Sequence, residues 1–315
     1  MDFANWARLV RIPAVFTILA DVSAAYLLVA HGTEPLVRFV LIVIAGVLLY
    51  WSGMIFNDVF DVEVDRQERP SRPLPAGVIS LSAARLAAGV MMVAGIGCAA
   101  LSGYVPAEGL ETTWLPVAVA AAIAVMVLLY DGPLKKTPLG PVAMGACRMG
   151  SFLLGASPVV AAGAVVPETV FPPYVWAAAS GFGVYVMGVT LMARREASES
   201  SPTVLSIGLM VILIGLILLA FVPVVAGPFA GFRFRGNAQF ALLIGMLGVT
   251  VLVRGWNLLS DPTPQRVQLT VRLALLTIIP LAAAFALLGA GIAYGLAIFA
   301  LVVPAMIVGA RFRMT

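Results

Sequence analysis

Ten stretches of near-continuous apolar sequence dominate this chain, starting near Ile12, Leu36, Ala84, Trp114, Val142, Tyr174, Val204, Ala238, Leu273 and Ile292. Each is close to the roughly 20 residues that carry a helix across a bilayer core, and together they take up about two thirds of the chain. No sizeable soluble domain fits in the remainder. The runs are unbroken rather than alternating, so they do not read as the strands of a barrel. In lipid the backbone polar groups must be satisfied within each segment, and that selects helices. Composition agrees, because only 11% of residues are charged whereas a soluble domain carries roughly 25%. Aqueous disorder, collagen and coiled coil are excluded on the same grounds. The expected fold class is an all-α polytopic membrane protein, with residues 1–315 forming one domain.

The formal net charge is +4, and its distribution is more telling than its sum. With Arg8 and Arg11 placed in the cytoplasm, Arg66, Arg69, Arg72, Arg85, Lys135, Lys136, Arg194, Arg195, Arg254, Arg266, Arg272, Arg311 and Arg313 fall on the same side. Arg38, Arg233 and Arg235 fall outside, together with Glu34, Glu108, Glu111 and Glu168. An arginine and lysine excess marks cytoplasmic loops, so ten spans with both termini inside are expected. The last two spans join near Gly289–Gly291 and leave nine as the alternative. The first run is long enough to read as an anchor rather than a cleavable signal. The expected location is a bacterial inner membrane, with the lipid bilayer as a partner and no nucleic acid.

Polar residues concentrate in three loops on the cytoplasmic side, 57–83, 130–140 and 194–202, with a fourth candidate at 254–272. Loops held by a rigid scaffold are where chemistry is placed. The second span ends in NDVFDVEVD. At 3.6 residues per turn, positions 57, 61 and 65 drift only about 40° per step, so Asn57, Asp61 and Asp65 share one helix face with Asp58 at its margin. Oxygen ligands of this kind suit Mg2+, which is held by one or two carboxylates together with substrate phosphates. Acidic residues at a helix C-terminus oppose the macrodipole, and a bound cation would relieve that opposition. Next comes DRQERPSRPLPAGVIS, in which Arg66, Arg69 and Arg72 precede a proline-stiffened turn ending at Gly77. Arginine's planar fork matches phosphate. Taken alone, the arginines read as a contact for anionic lipid; taken with the acidic motif, they describe a diphosphate site.

These residues resemble the signature of the UbiA family of intramembrane prenyltransferases, NDxxDxxxD followed by a segment ending RPLPxG. Asn57 to Asp65 and Arg72 to Gly77 match both parts, and YDGPLKKTPLG from Tyr130 is similar to the family's tyrosine and lysine loop after the fourth span. The resemblance implies a UbiA-like bundle of nine or ten transmembrane helices with cytoplasmic caps. It also implies Mg2+-dependent transfer of an isoprenoid group from a prenyl diphosphate to an aromatic or other lipophilic acceptor within the membrane. Carried over residue by residue, Asn57, Asp61 and Asp65 would meet the metal, and Asp61, Asp65, Tyr130 and Lys135 are the catalytic candidates. Asn57, Asp58, Arg69, Arg72, Lys136, Arg148, Arg194, Arg195 and Glu196 are the substrate-binding candidates.

The chain departs from the family at the end of the sixth span, where a second motif similar to DxxxD is usual. Here LMARREASESSP keeps Glu196 and Glu199 but no aspartate, and Arg194 and Arg195 occupy the region. Either these arginines neutralise a diphosphate directly, or ionisation chemistry has been lost and the protein is a non-catalytic carrier or flippase of a lipid diphosphate. The pattern is similar to a divergent branch that includes the EboC-type proteins. The CDP-alcohol phosphotransferase pattern, a second acidic motif of membrane enzymes, is not followed, because Asp131-Gly132 leads into Pro133.

Isolated polar residues within the spans are functional candidates by default. Asp21 in the first span and Arg148 in the fifth would either pair or face the acceptor and the diphosphate. His31 reads as interfacial, Asn257 and Asp261 as a helix end, and the five tryptophans as an aromatic belt. Cys98 and Cys147 have neither metal spacing nor a disulfide framework. Gly89, Gly95, Gly97, Gly181, Gly183 and Gly188 sit at spacings that predict close helix packing.

Overall fold

The computed structural model describes residues 3–160, 170–194, 201–227, 230–234 and 236–311. The chain begins with a short helix α1 (Phe3–Leu9) and continues through α2 (Ile12–Ala30), α3 (Leu36–Phe60), α4 (Val62–Glu68), α5 (Leu81–Tyr104), α6 (Leu115–Leu129) and α7 (Gly140–Ala156). The second half holds α8 (Pro173–Ala193), α9 (Pro202–Ala220), α10 (Val222–Ala226), α11 (Asn237–Ser260), α12 (Pro264–Ala290), α13 (Ile292–Phe299) and α14 (Val302–Arg311). Proline stands in the first turn of α2, α6, α7, α8, α9 and α12, where its missing N–H costs nothing. Ser80 caps α5 by accepting from the Ala83 amide at 3.2 Å.

Among the described residues nine helical segments are long and apolar enough to cross a membrane, and the protein is an integral, multi-pass membrane protein. The expected fifth span forms α7, which has only 17 residues and rises about 26 Å at 1.5 Å per residue. The last span turns at Gly291, whose φ of +98° suits glycine.

Spans α2, α8 and α12 are mostly buried, whereas α5, α11 and α13–α14 are mostly exposed. The first three form the centre, and Leu86, Val93 and Leu242 face outward from the others. Close backbone approach sets α2 between α7 and α12: a Cβ at Gly155 would lie 2.2 Å from the Val22 carbonyl, and one at Gly289 would lie 2.4 Å from Leu28 Cα. Gly95, Gly181, Gly183 and Gly188 pack as expected, but Gly89 and Gly97 face open space, with nothing within 4 Å of an added Cβ. Their spacing matched a contact stripe, but the side of α5 that carries them meets no neighbour. Stacked and edge-on rings of Phe152, Phe182, Phe285 and Phe240 join α7, α8, α12 and α11 at centroid distances of 5.2–6.0 Å.

Arg38, expected on the outer side, stands in the first turn of α3. It is fully buried and donates to the carbonyls of Val105 at 3.0 Å, Glu111 at 3.2 Å and Pro158 at 2.8 Å. Its donors satisfy carbonyls that lie at helix ends or in loops, outside any helical ladder.

Candidate functional site

The acidic motif does not lie on one continuous helix. Asn57 and Asp58 occupy the last turn of α3, Asp61 sits at a bend (φ −89°, ψ 0°) where its amide donates back to the Asn57 carbonyl at 3.1 Å, and Asp65 belongs to α4. The residues up to the bend, Asn57, Asp58 and Asp61, line the cavity described below, whereas Asp65 beyond it does not, so the expected single face of Asn57, Asp61 and Asp65 is not presented to one site.

Asp58 takes Arg11 at 3.1 Å and Arg72 at 3.5 Å. Asp65 turns away to Arg72 at 2.7 Å and does not line the cavity described below. Asp61 pairs with Lys135. Asn57 accepts weakly from Arg11 at 3.4 Å and donates to Asp131 Oδ1 at 2.8 Å. Arg11 reaches these groups because it adopts a left-handed conformation between α1 and α2, with φ +50°. Leu9, Val10, Val59, Val62, Leu74 and Ile79 form a small apolar cluster that ties α1 and the 69–80 turn to the end of α3.

Lys135 and Asp131 are positioned by an unusual turn. Residues Tyr130–Leu134 form a π-helical segment containing Pro133, a wide geometry common at functional sites. Pro133 cannot donate to the helical ladder.

These groups line one end of a cavity of about 2140 Å³ that continues down between α2, α3, α6 and α7 past Ile18, Leu49, Val127 and Leu154. Its volume is at least twice the roughly 300–1,000 Å³ of an ordinary small-ligand pocket. Nine arginines and lysines line it against three aspartates. That excess of six positive charges is larger than the +4 of the whole chain, so the basic character of the protein is concentrated at this cavity. Such a field draws anions.

Tyr130, Arg69, Lys136, Arg148 and Arg194 line the same cavity. Arg194 also donates to the Thr137 carbonyl at 2.5 Å, which joins the end of α8 to the loop after α6. Arg195 and Glu196 lie outside the described residues. Arg148 and Asp21 pair at 2.5 Å. His31 Nδ1 meets the Gly289 carbonyl at 2.9 Å, and Asp261 forms a surface pair with Arg266 at 2.7 Å. Two members of the site were not singled out from sequence. Arg11 reads there only as an orientation charge, and Asp131 reads as a mismatch to another motif; the signal for Asp131 was its place beside Tyr130 and ahead of Lys135.

Among the described residues no group of three or more His, Cys, Asp or Glu is arranged to hold a metal ion. The oxygen donors of Asn57, Asp61 and Asp131 nevertheless fit a hard divalent cation of the Mg2+ type, which needs one or two protein carboxylates when a substrate brings phosphate oxygens.

The fold and the cavity define a polytopic membrane protein with a cation-lined chamber open at one end of its helical bundle. Residues 15–270 match the UbiA prenyltransferase family, and the chain belongs to that family. It is 42% identical over 118 residues to a digeranylgeranylglyceryl phosphate synthase of Methanoculleus marisnigri, a match covering 37% of this chain and 38% of that one. A synthase of the same name from Methanoregula boonei is 36% identical over 125 residues, 39% of this chain and 40% of that one. The chain thus spans about two-fifths of the length of these curated relatives. Among solved structures, a UbiA homolog from Archaeoglobus fulgidus bound to GPP and Mg2+ superposes with a TM-score of 0.59 at 17% identity, covering 94% of this chain and 99% of that one. A digeranylgeranylglyceryl phosphate synthase superposes with a TM-score of 0.63 at 18% identity, covering 91% and 98%. These likenesses show the fold.

Proposed function

We propose that the protein transfers an isoprenoid group from a prenyl diphosphate to a lipophilic acceptor, aromatic or otherwise, within the membrane. The observation that carries this reading is the coupling of a mouth lined by cations and aspartates to a long apolar chamber in one cavity. Arg11, Arg69, Arg72, Lys135 and Lys136 would receive the diphosphate through charge-assisted hydrogen bonds, while the apolar depth takes the isoprenoid tail and excludes water from the cation left by the departing diphosphate. Asn57 and Asp61, with Asp131 beside them, would hold Mg2+, which supplies charge stabilisation for the leaving group. Asp65 would act through Arg72. Tyr130 lines the same cavity and would shield the cation. The relatives named as digeranylgeranylglyceryl phosphate synthases and the homolog bound to GPP and Mg2+ support this reading.

The test is binding of a non-hydrolysable prenyl diphosphate analogue to the purified protein with and without Mg2+, followed by turnover of the real diphosphate with a panel of acceptors. Mg2+-dependent binding and diphosphate release are expected. A carrier is the second reading, favoured by the presence of Arg194 rather than an aspartate where α8 ends; tight binding without release under any condition would establish it.

A further inference from the structure

Below the mouth, eight residues into α7 and so roughly 12 Å from its start at 1.5 Å per residue, the cavity wall carries a second polar cluster. Arg148 donates from Nη1 to Asp21 Oδ2 at 2.5 Å and to the Thr17 carbonyl at 3.2 Å, and from Nη2 to Thr17 Oγ1 at 3.0 Å. Ser151 donates to the same Asp21 oxygen at 2.7 Å. Thr17, Arg148 and Ser151 line the cavity. Asp21 stands behind them, fully buried.

A pair whose only task was to clamp α2 to α7 would be expected to use its polar atoms up, since unpaired polar groups are costly in such surroundings. This one does not. Asp21 Oδ1 is buried without a hydrogen-bond partner. Of the five guanidinium N–H donors, three are used, and Nε–H with one Nη2–H remains. The guanidinium therefore has donors to spare on a wall of the chamber that the diphosphate end does not need.

Charge decides what such a site takes. Asp21 and Arg148 cancel locally, whereas the mouth carries the cationic excess. An anion set against the pair would leave a net negative charge in apolar surroundings, and a neutral hydroxyl or carbonyl would leave none. We propose that Arg148 binds the un-ionised oxygen of the lipophilic acceptor, with Asp21 as a positioning residue that fixes and neutralises the guanidinium. The proposal rests on the prenyl-transfer reading and adds the chemistry of the second substrate, an apolar body bearing a hydroxyl or carbonyl.

The experiment uses the full chain in lipid nanodiscs and three probes of one shape: 4-hexylphenol, 4-hexylbenzoate and hexylbenzene. The unmodified protein is expected to bind the phenol about tenfold more tightly than either other probe, the worth of roughly one added hydrogen bond. Equal binding of phenol and hydrocarbon, or preference for the benzoate, would overturn the proposal without any variant being needed. Arg148→Met should erase the preference. Asp21→Asn, which leaves the cation uncompensated, should shift it toward 4-hexylbenzoate, an effect that a purely structural clamp would not produce. Persistence of the phenol preference in Arg148→Met would also overturn the proposal. Inorganic pyrophosphate is titrated into the same samples. Failure of the unmodified protein to bind it would count against the diphosphate reading and leave the probe selectivity to be judged separately.

Discussion

The ammonium of Lys135 rests on the carboxylate of Asp61, although 74 residues separate them in the chain. The contact brings the loop after α6 onto the bend between α3 and α4, so two motifs that are remote in sequence share one corner of the mouth. Both side chains keep about a quarter of their surface or less exposed. On the proposed reading an incoming diphosphate would compete for Lys135 and an incoming divalent cation for Asp61, so binding of the two would separate the pair cooperatively.

Asp61→Ala should lower kcat/KM at least about a hundredfold, the scale on which removal of one charge-stabilising group acts, with little change in melting temperature because Asp61 is partly exposed. Steady-state turnover and thermal unfolding in detergent would check both halves. Full retained turnover would remove Asp61 from the metal assignment.

Arg72 serves as a brace between Asp58 and Asp65. Arg72→Met leaves the buried carboxylate of Asp65 without its partner and should cost about 3 kcal/mol, the lower end for breaking a buried ion pair. The double variant Arg72→Met with Asp65→Asn should recover much of that loss, because a neutral amide is cheaper to bury. Denaturant unfolding of the four proteins closes the cycle; additive losses would show that the two residues are not coupled.

How far the sequence led depends on what sets each feature. The spans were legible because burial in lipid is a local, compositional demand: α2, α3, α5, α6, α7, α8, α9, α11 and α13 begin within three residues of an apolar run, and α12 begins nine residues ahead of its run. The family and the Asn57–Asp65 and Arg72–Gly77 motifs were legible for the same reason, being contiguous in the chain. Partners were not. Arg11 and Asp131 join Asn57 through contacts spanning 46 and 74 residues, and no local pattern reports such a distance. The bend at Asp61 was hidden because the i, i+4 spacing of positions 57, 61 and 65 reads as one unbroken helix. Gly89 and Gly97 matched a packing stripe but face no neighbour, since spacing fixes a face and not what lies opposite.

Arg38 separates stability from function. It lies about 28 Å from Asn57 along α3 at 1.5 Å per residue, and its removal would orphan the carbonyls of Val105, Glu111 and Pro158. Arg38→Met should cost at least about 3 kcal/mol, at 1 kcal/mol or more per unsatisfied group, while pyrophosphate affinity at the opposite end stays unchanged in the folded fraction. Unfolding curves and a pyrophosphate titration at low temperature would check this. A weakened titration with an intact melting temperature would contradict it.

Arg194 decides how the family's altered corner works. It is exposed, lines the cavity and spends one donor on the Thr137 carbonyl, which leaves most of its guanidinium for a ligand. If it replaces an acidic metal clamp by donating directly to the diphosphate, Arg194→Gln should weaken prenyl diphosphate binding about tenfold or more, at the 1.5–3 kcal/mol of a hydrogen bond to a charged group. The weakening should grow as ionic strength falls, because a partly exposed charge is screened by salt. Melting temperature should barely move, since an exposed side chain contributes little to the fold. Titration of the diphosphate analogue at two salt concentrations distinguishes the outcomes. An unchanged dissociation constant at both would confine Arg194 to tying α8 to the loop after α6, and diphosphate neutralisation would then fall to Arg11, Arg69, Arg72, Lys135 and Lys136.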